Sequence, residues 1–219
     1  MINLPNFNDS FTYENMFYLS CGSDRIEKIL IQYSIFIKSL EVPGSIVECG
    51  IFKGASFSRY AMFRKMHAIE KKSLIGFDIF GKFPETSFAN DKILREEFIK
   101  IDGAQGISVD QLNIVLENKE CAGNVELIEG DICKTIPLYV ANNPKLKISF
   151  LNLDGDIYEP RKIILEKLYP LLSSGGVLLL DNYKEFPGET KAVDDYFKGK
   201  GVTIQEKGMN KTYYYIIKP

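Results

Sequence analysis

Short apolar runs alternate with stretches of helical period along most of the chain. Seven runs read as strands: SIVECG (45–50), SLIGFDIF (73–80), NVELIEGDI (124–132), KISFLNLDG (147–155), GGVLLLDNY (175–183), VTIQEKG (202–208) and KTYYYIIKP (211–219). Several are almost wholly apolar, and glycine, proline or asparagine bounds most of them. Strands covered on both faces look like this. Helical period appears between the first five at Ala55–Lys71, Val109–Lys119, Pro137–Asn142 and Arg161–Leu172, and Ala192–Gly199 follows the fifth. Ahead of them, Ser23–Leu40 spaces Ile26, Ile29, Leu30, Tyr33, Phe36 and Leu40 as one apolar helix face, and VPG ends that helix.

Strands alternating with helices predict a parallel sheet covered by helices. Only Met209 and Asn210 separate the last two runs, a hairpin signal, so one of them should run antiparallel. Five βα units followed by a hairpin differ from the repeated halves of a dinucleotide-binding domain. The order predicts an α/β, Rossmann-like fold of the class I methyltransferase kind: seven strands, mostly parallel, with a C-terminal antiparallel hairpin. Residues 1–219 then make one domain, with an N-terminal helical segment over 1–41. The stretch from Gly81 to Gly106 breaks the alternation, carries its own helical piece, and is long enough for a lid.

Composition changes this picture little. The chain has 219 residues, 45% hydrophobic and 26% charged, with a net charge of −2. Mixed charge of this size gives no footprint for nucleic acid or an anionic membrane. No apolar run approaches a membrane span, and the first ten residues lack the basic start and apolar centre of a secretory signal. Cys21, Cys49, Cys121 and Cys133 show no metal-ligand spacing and read as reduced thiols, so a cytoplasmic location is expected. The single histidine, His67, lies in a helical stretch and reads as a packing residue.

The strand ends carry the candidate chemistry. In VECGIFKGAS, Gly50 and Gly54 follow a strand and precede a helix, with Ser56 in its first turn. Such a turn lets a ligand approach the backbone and aims helix N–H groups at an anion. The G-x-x-x-G spacing suits an amino-acid carboxylate better than a pyrophosphate. Glu48, an acid inside the strand, needs a partner such as a ligand ammonium. Asp78 ends the second strand, where an acid commonly accepts from ribose hydroxyls. Asp131 ends the third and could accept from an adenine amino group. Each of these acids could instead cap a helix or turn. Together they suit S-adenosylmethionine, which has the ammonium, the ribose and the amino-purine.

Strands four and five end in Asp154 and Asp156, and in Asp181 and Asn182. If the two strands are neighbours, Asp154, Asp181 and Asn182 form a hard-oxygen set for Mg²⁺. A bound metal would lower the pKa of a substrate hydroxyl and orient it toward the methyl donor. The alternative is that these acids cap the following helices or hold substrate by hydrogen bonds.

The segments VPGSIVECGIFKGAS, GFDIFGKFPE, EGDICKTIP, LNLDGDIYEPRKIILEKLYPLLSSGGVLLLDNY and ETKAVDDYF resemble the macrocin O-methyltransferase (TylF-like) family from about Val42 to Phe197. The resemblance implies an S-adenosylmethionine- and Mg²⁺-dependent enzyme that methylates hydroxyls on sugars of glycosylated small molecules. It implies cofactor contacts at Glu48, Gly50, Ser56, Asp78 and Asp131, and metal ligands at Asp154, Asp181 and Asn182. The family usually has two aspartates at the last pair. Asp154 is the implied base, with Asp156 competing for that role. Tyr158, Tyr183 and Lys184 lie close in sequence and could orient substrate. Catechol-type methyltransferases share an Asp, Asp, Asn trio but place a lysine three residues after the first aspartate, where this chain has Ile157. A phenol methyltransferase and a non-catalytic nucleotide-binding α/β protein are the competing readings. Relatives often self-associate through N-terminal elements, so a homo-oligomer is also expected.

Overall fold

The computed structural model describes residues 2–154, 157–209 and 211–219. Its seven strands form one sheet in the order β3-β2-β1-β4-β5-β7-β6. The strands β1 (Ser45–Cys49), β2 (Leu74–Asp78), β3 (Val125–Glu129), β4 (Ile148–Leu153) and β5 (Leu172–Leu180) pair in parallel. The last strand, β7 (Tyr213–Ile217), is antiparallel to both β5 and β6 (Gln205–Lys207). Strand order reverses between β1 and β4, which opens a crevice at the carboxyl ends of the strands.

Every residue of β2 and β4 is buried, which explains their unbroken apolar runs. Alternate side chains feed two cores. Ile46, Phe150 and Leu179 face one side, where α2 (Ser23–Phe36), α3 (Ala55–Met66) and α5 (Val109–Asn118) pack. Val47, Leu151 and Leu178 face the other, against α6 (Ile132–Asn142), α7 (Tyr158–Leu168) and α8 (Pro187–Phe197). Each fully buried leucine or isoleucine contributes roughly 1.5–3 kcal/mol.

The helices differ from the pattern expected of them in three ways. First, α6, α7 and α8 begin earlier than Pro137, Arg161 and Ala192. Pro187 opens α8, where its missing N–H costs nothing. Asp131 caps α6 well before Pro137, so that proline lies inside the helix. Second, Leu172 opens β5 and does not close α7. Third, the inward face of α2 overlaps the expected one only in part, at Phe36, with Tyr33 and Leu40 packed against the core. Its buried residues are Glu27, Ile31, Gln32, Ile35 and Phe36, whereas Leu30 is exposed. Two of those five residues are polar, and apolar periodicity alone does not find them.

Two further helices are α1 (Ser10–Ser20), which buries none of its residues, and α4 (Ala89–Asp102) within the 81–106 insert. The insert closes on itself: Gly106 N–H donates to Gly81 C=O at 2.8 Å, and Phe83 N–H to Ala104 C=O at 2.7 Å. It is anchored by Asp91 of α4, which is wholly buried. One Asp91 oxygen accepts from Gly188 N–H at 2.8 Å and the other from Tyr158 N–H at 3.1 Å, in the first turns of α8 and α7. All four cysteines are free. His67 Nε2 lies 3.0 Å from the Tyr33 hydroxyl, a packing position away from the strand ends. Among the described residues, no helix is long and apolar enough to cross a membrane.

Candidate active site

Two adjoining clefts lie along the carboxyl ends of the strands. The first is lined by Gly50, Phe52, Asp78, Ile79, Gly130, Asp131, Asp154 and Ile157, with Phe83 and Pro84 of the insert. The second shares Gly50, Phe52 and Asp154 and adds Arg25, Lys28, Ser56, Arg59, Asn182, Lys211 and Tyr213, with Phe98 and Asp102 from α4. Phe52 packs on both Phe83 and Phe98, so the insert roofs the junction.

The glycine turn takes its shape from left-handed backbone. Gly50 and Gly54 have φ of 88° and 83°, and between them Phe52 has φ of 50°. Glycine adopts this freely, while a side chain there costs roughly 1–3 kcal/mol. Asp78 offsets that cost. Its Oδ2 accepts from Ile51 N–H at 2.7 Å and Phe52 N–H at 3.0 Å, and its Oδ1 from Phe80 N–H at 2.7 Å. Phe80 also has a positive φ, 50°. Asp78 therefore braces two turns while it lines the first cleft. Asp131 likewise has two duties. It caps α6 by accepting from Cys133 N–H at 2.9 Å and stays about half exposed beside Gly130.

Glu48 lies inside β1, wholly buried beneath the turn; it lines neither cleft and accepts from Asn152 Nδ2 at 2.9 Å. Burial pushes its carboxyl up to about 8, although Ser56 and Asn152 pull the other way.

Strands β4 and β5 are neighbours, and their ends bring Asp154, Asp181 and Asn182 together. Asp154 N–H donates to Cys49 C=O at 2.9 Å, which fixes the residue against β1. Asn182 has φ of 66°, a conformation asparagine tolerates better than most residues. Its Nδ2 donates to Asp154 Oδ1 at 3.2 Å. Asp156 lies outside the described residues. Tyr158 stacks on Phe88, Tyr183 donates to Asp194, and Lys184 sits over the Tyr214 ring; none of the three lines either cleft.

Asp181 is buried and meets an unforeseen partner. Lys28 Nζ donates to its Oδ2 at 2.8 Å, and Gln32 Nε2, one helical turn on, lies 3.4 Å from the same oxygen. Arg59 continues the chain by donating to Gln32 Oε1. Burial by itself would lower the Lys28 ammonium. Asp181 and then Asp154 outweigh it and hold Lys28 above its ordinary value. Below this layer, fully buried Arg161 donates to the main-chain oxygens of Leu153 and Asp181, both at 3.0 Å, and pairs with Glu189. Those bonds clamp the ends of β4 and β5 together.

Comparison with known proteins agrees with this architecture. Among solved structures, CalS11, a calicheamicin methyltransferase, superposes with a TM-score of 0.75 at 25% identity, covering 93% of this chain and 83% of that one. The O-methyltransferase NovP superposes at 0.73 with 23% identity over 90% and 80%. The fold is that of a class I methyltransferase. Among curated sequences, a tetracenomycin rhamnosyl 4'-O-methyltransferase of Streptomyces olivaceus is 28% identical over 166 residues, 74% of this chain and 61% of its own. Demethyldecarbamoylnovobiocin O-methyltransferase of Streptomyces niveus is 26% identical over 159 residues, 71% and 58%. The chain thus spans about three-fifths of the length of these relatives. A profile of macrocin-O-methyltransferase (TylF) matches residues 14–215. This chain belongs to the macrocin O-methyltransferase (TylF) family.

Proposed function

We propose that the protein transfers the methyl group of S-adenosylmethionine to a hydroxyl of a sugar or glycosylated small molecule. The observation that carries this reading is the meeting of two clefts at Asp154. The first offers a glycine turn and two acids, Asp78 and Asp131, for a nucleoside. The second offers three carboxylates (Asp24, Asp102 and Asp154), an amide and five cations for a polar acceptor. The tetracenomycin relative, whose name carries a rhamnosyl group, supports the acceptor class. Arg25, Lys28, Lys53, Arg59 and Lys211 outnumber Asp24, Asp102 and Asp154 along the second cleft, and this surplus of positive charge favours an acceptor bearing phosphate, such as a nucleotide sugar.

The transfer is a single displacement. A lone pair of the acceptor oxygen forms the new C–O bond, the S–CH₃ bond breaks, and its electron pair returns to sulfur as S-adenosylhomocysteine. Asp154 takes the hydroxyl proton at the cleft junction. Asp156 is the competing base. Ile157, apolar and buried, gives no lysine for a catechol-type mechanism. The insert covers the junction with Phe83, Pro84 and Phe98.

Asp154, Asp181 and Asn182 are the residues expected to hold Mg²⁺. The donors have the right chemistry, and Asp181 Oδ1 is buried without a hydrogen bond. The arrangement does not fit a dication, because Lys28 holds the other Asp181 oxygen and Asn182 turns its N–H toward Asp154.

The test is calorimetry with S-adenosylmethionine, followed by transfer of labelled methyl to a panel of nucleotide sugars and glycosides. Micromolar cofactor binding and a labelled sugar are expected. No cofactor binding at millimolar concentration would overturn the proposal.

A further inference from the structure

We propose that Lys28 is the resident cation of the acceptor site, holding Asp181 in the place a divalent metal would otherwise take. This rests on the methyltransferase reading and names how its acceptor pocket is charged.

Three observations carry it. Lys28 Nζ lies 2.8 Å from Asp181 Oδ2, and Asp181 is fully buried while Lys28 keeps 23% of its side chain exposed. The ammonium therefore reaches inward from the cleft to a carboxylate that water does not reach. Gln32 lies on the same face of α2 and approaches the same oxygen, so the helix offers two donors in register. Asp154 lines the cleft that Lys28 lines, so the ammonium stands beside two carboxylates. This is the electrostatic task of a divalent ion at a paired-acid site, done here by a side chain.

The physical consequence is competition. A metal bonded to Asp181 would sit about 2.0–2.1 Å from its oxygen, within strong repulsion of an ammonium already at that carboxylate. Entry requires Lys28 to leave, and a buried carboxylate loses a close partner when it does. Lys28 thus acts as a positioning residue: it fixes Asp181, and through the shared cleft it sets the field in which Asp154 meets the acceptor hydroxyl.

The experiment is Mn²⁺ titration of the full chain by electron paramagnetic resonance, for wild type, Lys28→Met and Lys28→Ala. Thermal melts with and without Mn²⁺ accompany it. We expect no saturable site below millimolar Mn²⁺ in the wild type. Both variants should bind at least tenfold more tightly, and Mn²⁺ should raise their melting temperatures but not that of the wild type. If a variant folds poorly alone, rescue of its melt by Mn²⁺ gives the same answer. Tight Mn²⁺ binding by the wild type overturns the proposal, and so do variants that bind no better than wild type. Titration of S-adenosylmethionine into the wild type tests the underlying reading separately, since cofactor binding does not depend on which cation Asp181 holds.

Discussion

A carboxyl wholly out of water makes stability depend on pH. Glu48 in the fold titrates at about 8, against an ordinary value of 4.5. Between those values the unfolded chain gives up the proton while the folded chain keeps it. Its contribution therefore falls as pH rises from 4.5 to 8, by on the order of a few kcal/mol. The melting temperature of the wild type should drop more steeply over that range than that of Glu48→Gln; parallel slopes would refute the assignment. Since Glu48 lines neither cleft, Glu48→Gln should bind S-adenosylmethionine within about twofold of wild type. Asp78 is the contrasting case. Asp78→Ala strands three backbone amides and releases two left-handed phenylalanines, so unfolding in urea should show a loss of at least about 2 kcal/mol. Calorimetry should show cofactor affinity reduced roughly tenfold. Weakened binding with unchanged stability would mean that the turns do not depend on Asp78.

Strand ends and helix starts build the site at the scale of elements, and here the sequence was unevenly legible. The central strands announced themselves because both faces are buried, and an apolar run has little else to mean. Asp154, Asp181 and Asn182 could be brought together on paper because adjacent strands in a known order put their ends side by side. Lys28, Gln32 and Arg59 could not. They lie on helices, and their partners are far away in sequence. Glu27 and Gln32 on the inner face of α2 are polar, so apolar spacing found only part of that face, Tyr33, Phe36 and Leu40. A signal was present all the same: Lys28 and Gln32 continue the line of Ile31, Ile35 and Phe36 at helical spacing. Arg161 was equally silent, an ordinary charge in a helical stretch. Its partner Glu189 opens a test: Glu189→Ala leaves a buried guanidinium without that carboxylate and should cost roughly 3–5 kcal/mol in urea unfolding. A loss under about 1 kcal/mol would show that the clamp holds without it.

The whole molecule adds what no single element shows. Helix α1 buries nothing and exposes Phe11, Met16 and Leu19. Such a surface is consistent with the expected self-association, and light scattering should give a mass above that of the 24.9 kDa chain. A monomer at tens of micromolar would exclude it. The insert has a more definite role. Asp91 satisfies backbone amides at the starts of α7 and α8, immediately after the segments that carry Asp154 and Asn182. Swinging the insert away must therefore bare Tyr158 N–H and Gly188 N–H together. If the insert opens as a lid, those two amide hydrogens should share one protection factor against deuterium exchange, raised by S-adenosylmethionine, and so serve as a paired clock for that opening.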